Sequence, residues 1–206
     1  DFHAHSTSRA ADLSLAEVAA LRLYSGPAFS PMNWALRSKE VAPWATTIAC
    51  CYSGVLKLSF LSKATRVYRG VREVERVLPG AFLDADEGEF AGGVELAFMS
   101  TTRNAAVALD YSGGEATNGT LFAIDFDMTS RGASIGFLSQ YPHEEELLFP
   151  PFTGLCCVSK DSRGPKKLAV LSAQVTRLCH PCPPCSLCAY SLSLSPLHTP
   201  LTTAGL

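Results

Sequence analysis

Apolar positions recur at helical spacing early in the chain and at strand spacing later. Ser14-Leu15-Ala16-Glu17 reads as a capping box, with a serine hydroxyl for the first free amides and a glutamate three residues on to reciprocate. The stretch to Leu23 is rich in Ala and Leu, good helix formers, and Tyr24-Ser25-Gly26-Pro27 ends it. A short second helix is predicted over Met32 to Arg37. A longer one follows Pro43, with Ile48, Tyr52, Val55 and Leu58 on one face.

The texture then changes. Thr65 to Val71 is β-branched and aromatic, as strands are. Pro79-Gly80 and Gly92-Gly93 mark turns. Val94 to Met99 reads as a strand running into Ser100-Thr101-Thr102, and Thr102 is placed to cap a short helix through Tyr111. Further strands are predicted over Leu121 to Phe126, Glu144 to Phe149 and Leu168 to Thr176, with loops over Gly113 to Gly119 and Gly132 to His143. Helices first and strands later, without βαβ alternation, argue for an α+β fold with mainly antiparallel sheets. Residues 1–13 form a polar leading segment and 14–177 the domain. Residues 178–206, rich in Cys, Pro, Ser, Leu and Thr and free of charged residues, read as an appended tail.

Composition narrows the field. At 206 residues with 47% hydrophobic and 17% charged residues, the chain has material for one ordinary core. A net charge of -2 carries no basic excess that would point to nucleic acid or an anionic membrane. No apolar run approaches the length of a membrane span. The eight cysteines fall as Cys50-Cys51, Cys156-Cys157 and Cys179, Cys182, Cys185 and Cys188, which is not the spacing of a secreted disulfide scaffold. That pattern leans toward reduced thiols and an intracellular setting.

Three places carry candidate chemistry. Glu144-Glu145-Glu146 stands directly before the apolar Leu147-Leu148-Phe149. In a strand, Glu144 and Glu146 share a face and Glu145 takes the other. Like charges that close raise at least one pKa, and a cationic group or transition state between them relieves the repulsion. The plain alternative is a solvated acidic turn. Arg69 shares a strand face with Val67 and Val71, and its guanidinium fork suits a phosphate. Gly70 beside it lets a ligand approach the backbone. The plain alternative is an edge arginine reaching solvent. Ser100-Thr101-Thr102 puts three hydroxyls at a strand end, where they can orient a carboxylate or a ribose, or simply cap a helix.

Together these residues resemble the R-S-E signature of the arginine-specific mono-ADP-ribosyltransferases. RLYSGP resembles the family's helix-ending segment and VYRGV carries the arginine. GGVELAFMSTT resembles the Ser-Thr-Ser strand, and RGASIGFLSQYPHEEELLFPPFTGL the catalytic loop and strand. The four blocks stand in the family's order over roughly residues 12 to 176. The resemblance implies N-terminal helices packed on two small, roughly perpendicular sheets around an NAD cleft. It implies that Arg69 contacts an NAD phosphate, Gly70 presents its backbone to the nicotinamide amide, and Ser100 holds the catalytic glutamate with support from Thr101 and Thr102. Glu146 would bind the nicotinamide ribose and stabilise the oxocarbenium ion. Glu144 would orient the acceptor arginine and help its deprotonation. Phe137 and Tyr141 would be aromatic acceptor contacts in the loop from Gly132 to His143. NAD is the implied co-substrate, with NADP an alternative and no metal. The implied partner is a protein presenting an arginine to a monomeric enzyme. Thr102 for serine, Phe137 where relatives often have tryptophan, and Cys156-Cys157 where they often carry a charge are departures.

Two further patterns are set aside. Asp1-Phe2-His3-Ala4-His5 imitates the opening of a metal-dependent hydrolase, but later His and Asp in suitable strands are missing. Cys179, Cys182, Cys185 and Cys188 lack the longer loop that usually separates paired zinc ligands, and prolines stiffen the run. Rival readings are an NAD glycohydrolase using the same site with water as acceptor, and a catalytically silent binding domain.

Overall fold

The computed structural model describes residues 1–63, 65–72, 92–127, 129–163, 166–175 and 191–192. A short helix α1 (Ser6–Ala10) precedes α2 (Leu15–Leu23), which the capping box starts. Ser14 Oγ accepts from the Glu17 amide at 3.2 Å, and Glu17 Oε2 accepts from the Ser14 amide at 2.7 Å. Glu17 also joins α2 to α4 (Ala45–Ser59) by accepting from Ser53 Oγ at 2.6 Å and Lys57 Nζ at 2.9 Å. Burial opposes the Glu17 charge, but these donors outweigh it and bring the carboxyl down to about 2. The chain kinks at Gly26-Pro27 and continues as α3 (Phe29–Ser38), three residues longer at its start than the sequence suggests. In α4 the inward stripe is Cys51, Val55 and Leu58, while Tyr52 is exposed. Spacing alone does not separate two neighbouring positions near the edge of a stripe.

The strands are β1 (Thr65–Arg72), β2 (Gly92–Glu95), β3 (Met99–Thr102), β4 (Gly119–Phe126), β5 (Ala133–Ser134), β6 (Glu146–Phe149), β7 (Thr153–Arg163), β8 (Lys166–Val175) and β9 (Ser191–Leu192). A helix α5 (Ala105–Tyr111) lies between β3 and β4. The hydrogen-bonded order is β5-β6-β3-β1-β4-β8-β7-β2-β9. β5, β6, β3, β1 and β4 form one antiparallel block and β8, β7 and β2 another. The blocks meet where β4 and β8 run parallel. The α+β class with two antiparallel sheets therefore stands.

Further elements differ from the sequence reading, among them α1 within the leading segment and β5 within the loop expected from Gly132 to His143. The stretch from Val94 to Thr102 is two strands, not one. Glu95 accepts from the Ala97 amide at 2.9 Å, breaking the ladder between a segment that pairs with β7 and one that pairs with β6. Residues Thr153 to Arg163 form the long β7, whose mixed polar, cysteine and charged sequence gives no clean alternation. The α5 cap is Asn104, which accepts from the Ala106 amide at 3.0 Å, and Thr102 Oγ1 instead accepts from the Asn104 amide at 3.0 Å. Of the tail, Ser191 and Leu192 are described and pair with Val94 and Glu95, while Cys179, Cys182, Cys185 and Cys188 lie outside the described residues.

Two cores hold these layers. Leu21, Tyr24, Met32, Val55 and Leu58 of the helices pack with Phe98, Ile135, Leu138 and Leu148. The second core comes from both sheet blocks: Val67, Val71, Met99, Phe122, Ile124, Phe126, Leu147, Phe149 and Leu155. Leu147 and Phe149 face one core and Leu148 the other, as strand alternation requires. β6 is thus buried on both faces, and Glu146 opens it.

Candidate active site

β1 pairs with β4 over its whole length, but with β3 through a single bridge, Tyr68 to Thr102. Past that bridge the two strands part, and Arg69, Gly70 and Ser100 stand at the fork. Arg69 is 2% exposed and donates from Nη1 to the Ser100 carbonyl at 2.5 Å. Burial lowers its pKa to about 10, the Glu95 carboxylate resisting and Arg37 assisting, so it remains a cation at neutral pH. The edge-arginine alternative fails, because this guanidinium is inside.

Gly70 has a steric reason to be glycine besides the one its sequence context suggests. A Cβ there would lie 1.8 Å from the Ala108 carbonyl oxygen and 2.6 Å from the Ser112 amide nitrogen. α5 therefore sits directly on β1, and the missing side chain admits a helix. Gly70→Ala should push α5 off the strand and cost about 3 kcal/mol, at the upper end for overpacking because both obstructing atoms are backbone. Urea unfolding checks this; an unchanged midpoint would refute the contact.

Glu144 and Glu146 are both buried and Glu145 is exposed; the expected separation of Glu145 from its neighbours arises through a different geometry. Strand β6 begins only at Glu146. Glu144 closes a 3-10 turn, Pro142–Glu144, and Glu145 turns the chain in the left-handed region with φ 49°. The reversal at Glu145, not strand alternation, brings its two neighbours to one side. Each buried glutamate has hydroxyl support. The Ser100 hydroxyl lies close to the Glu146 carboxylate and favours its charged form. Thr102 Oγ1 donates to the Glu144 carbonyl at 2.6 Å, and the Tyr111 hydroxyl donates to Glu144 Oε1. Thr101 Oγ1 donates to the Leu147 carbonyl at 2.8 Å and fixes β6 against β3. Burial pushes the Glu146 carboxyl up to about 7. The nearby Ser100 hydroxyl and the Arg69 charge oppose this, and the Glu144 charge adds to it.

A polar cluster that sequence reading misses backs Arg69. Glu95, fully buried, pairs with Arg37 Nε at 3.2 Å, and burial raises its carboxyl despite the two guanidiniums nearby. Asn33 Nδ2 donates to the Tyr24 hydroxyl at 2.9 Å. Asn33 Oδ1 and Arg37 Nη2 are buried without a hydrogen-bond partner among the described residues. Buried polar atoms are rarely left so, and an acceptor and a donor beside a buried arginine fit a ligand with anionic and polar parts. Glu95 inside an apolar strand was the one visible signal. Asn33 and Arg37, one helical turn apart, carried none.

The loop from Gly132 to His143 is tied to the helices. Arg22 Nη1 donates to the Leu138 carbonyl at 2.8 Å and the Gln140 amide to Ser25 Oγ at 3.1 Å. Tyr141 is exposed, whereas Phe137 packs partly into the helical core with His5 stacked on it at 4.8 Å. His5 also caps α1 through Nδ1. Among the described residues no group of three or more His, Cys, Asp or Glu side chains could hold a metal ion.

A buried carboxylate pair, a buried arginine at the fork of two strands and an α+β frame define an NAD-dependent ADP-ribosyltransferase. The chain belongs to the NAD:arginine ADP-ribosyltransferase family, whose model matches residues 4–175. In structure it is similar to the ADP-ribosyltransferase HopU1 of Pseudomonas syringae, with TM-score 0.68 and 25% identity over 84% of this chain and 82% of that one. The Vis toxin of Vibrio splendidus, an ADP-ribosyltransferase, superposes with TM-score 0.61 and 20% identity over 82% of this chain and 78% of that one. An ADP-ribosyltransferase toxin of Paenibacillus larvae shares the fold at TM-score 0.62 and 18% identity, over 80% of this chain and 88% of that one. No curated protein matches the sequence.

Proposed function

We propose that this enzyme transfers ADP-ribose from NAD to an arginine side chain of a protein, releasing nicotinamide. The observation that carries the reading is the pair of buried glutamates, Glu144 and Glu146, with a buried guanidinium, Arg69, close to Glu146. The bond from ribose C1′ to the nicotinamide nitrogen breaks and its electron pair leaves with nicotinamide. Positive charge develops on the ribose, where Glu146 stabilises it more than the ground state. Arg69 and Arg37 hold the diphosphate, and the parted edge of β1 at Gly70 receives the nicotinamide amide. A new bond forms between C1′ and a guanidinium nitrogen. An arginine side chain stays protonated at ordinary pH, so it attacks only as it gives up a proton, and Glu144 takes it. Thr101 and Thr102 keep the two strands in register behind this pair. Tyr141 meets the acceptor protein. Phe137, half covered by His5, shapes the loop from within. NAD is the donor that the family's name carries, and nothing in the comparisons supports NADP.

The test is incubation of the purified chain with labelled NAD and an arginine-rich protein. Label on the protein, competed by free guanidino compounds, is expected. Label found only in free ADP-ribose would replace this reading with an NAD glycohydrolase, and intact NAD would leave a binding domain.

A further inference from the structure

Each of the two glutamates is gripped differently, and the grip on Glu144 comes from a residue outside the arginine, hydroxyl and glutamate blocks. Tyr111 ends α5, and its hydroxyl donates to Glu144 Oε1. We propose that Tyr111 is a positioning residue for the acceptor half of the reaction: its hydroxyl fixes the orientation in which the Glu144 carboxylate meets the incoming guanidinium. This rests on Glu144 being the acceptor-side carboxylate.

The placement of Tyr111 is over-determined. α5 lies against β1 at Gly70, with no room for a methyl group between them. The Ser112 amide that follows Tyr111 donates to the Ala108 carbonyl at 3.0 Å, the same oxygen that crowds Gly70. At the other end, Glu144 is fixed by the Thr102 bond to its carbonyl and by its own amide donating to the Tyr141 carbonyl at 3.1 Å. The phenol therefore reaches Glu144 from a rigid helix, and Glu144 meets it from a rigid turn. Burial, the hydrogen bond to Glu144 and the neighbouring acidic charges all raise the Tyr111 pKa, so the phenol keeps the proton it donates.

The chemistry gives this grip a purpose. A carboxylate with both oxygens open takes arginine as a two-pronged fork, engaging two N–H groups at once. Such a pair binds the substrate well but occupies nitrogens of which one must attack. With the carboxylate held in one orientation by Tyr111, it accepts an N–H and removes that proton while another guanidinium nitrogen reaches C1′. Near-attack geometry of this kind depends on small displacements.

Tyr111→Phe keeps the ring and deletes the hydroxyl. With agmatine as the guanidino probe, the transfer rate should fall about tenfold to a hundredfold, the range for a hydrogen bond to a charged group. The fall in transfer should exceed any fall in NAD hydrolysis by roughly fivefold or more, and agmatine kcat should suffer more than agmatine KM. In a Glu144→Gln background, Tyr111→Phe should add nothing, because the group it positions is gone. Equal losses in transfer and hydrolysis, or losses that add in the double variant, would overturn the proposal and make Tyr111 structural. If Glu144→Gln stops transfer but Tyr111→Phe transfers normally, Tyr111 is wrong and the arginine reading survives. If the unaltered protein modifies no guanidino acceptor, both fall together.

Discussion

Glu146→Gln should lower both ADP-ribose transfer and NAD hydrolysis by about a hundredfold or more. The substitution keeps shape and hydrogen-bonding capacity and removes only the charge. Both reactions lose nicotinamide first, so both need the carboxylate that faces the ribose cation. Glu146 is 3% exposed, where an uncompensated charge acts across little water and a missing one is not replaced by solvent. Single-turnover cleavage of NAD is the measurement, and a rate within a few-fold of the parent would remove Glu146 from the chemistry. The same residue sets a pH dependence. With its carboxyl near 7 in the free protein, hydrolysis should climb as pH rises through neutrality, because the ionised form is the active one. The glutamine variant should lack that limb.

Stability moves the other way, and the sign follows from linkage. Folding raises the Glu146 carboxyl from the ordinary glutamate range to about 7, so in that interval the folded chain binds more protons than the unfolded one. Stability attributable to this group is complete below the interval and declines as pH rises through it, by about 3 kcal/mol if the whole shift is expressed. Glutamine resembles the neutral acid and escapes the decline. Glu146→Gln should therefore melt above the parent at pH 8 and close to it at pH 5. A residue that is costly to the fold and necessary to the reaction belongs to a site tuned for activity at some expense of stability.

How much of this was legible depends on the reach of each interaction. The capping box at Ser14 and Glu17 was readable because both of its hydrogen bonds close within four residues. The order of helices and strands was readable from period alone. A shared face for Glu144 and Glu146 was anticipated through a strand that does not extend that far. The left-handed turn at Glu145 produces the same facing, so the conclusion held while its reason changed. β7 escaped notice because Cys156, Ser159, Lys160 and Asp161 hide a strand stabilised by its long ladder to β8. The Arg37–Glu95 pair joins residues 58 apart, and the Tyr111–Glu144 bond residues 33 apart. No local pattern encodes such partners. Gly70 is a related case: its sequence neighbours suggest a ligand at its backbone, and nothing near it in sequence announces the helix that packs on its Cα.

Glu144→Gln should separate the two halves of the reaction. Glutamine still receives the Tyr111 hydroxyl and keeps the turn, since the Thr102 bond goes to the backbone carbonyl at 144. It can neither pair with a guanidinium cation nor take its proton. Transfer to arginine should fall by about a hundredfold or more, the combined size of a lost ion contact and a lost general base. Hydrolysis uses water, which arrives neutral and needs less help once the ribose cation has formed, so it should fall far less. Relieving the neighbouring negative charge also removes one of the influences that raise the Glu146 carboxyl, and the acid limb of hydrolysis should move to lower pH. Glu145→Gln is the internal control. Its side chain is exposed and outside the pair, so both activities should stay within about twofold, as for a surface substitution. If Glu145→Gln caused the larger loss, the turn geometry at 144–146 would be wrong. If Glu144→Gln reduced transfer and hydrolysis in equal proportion, the two glutamates would act as one electrostatic unit on the donor, and the acceptor arginine would have to find its base elsewhere.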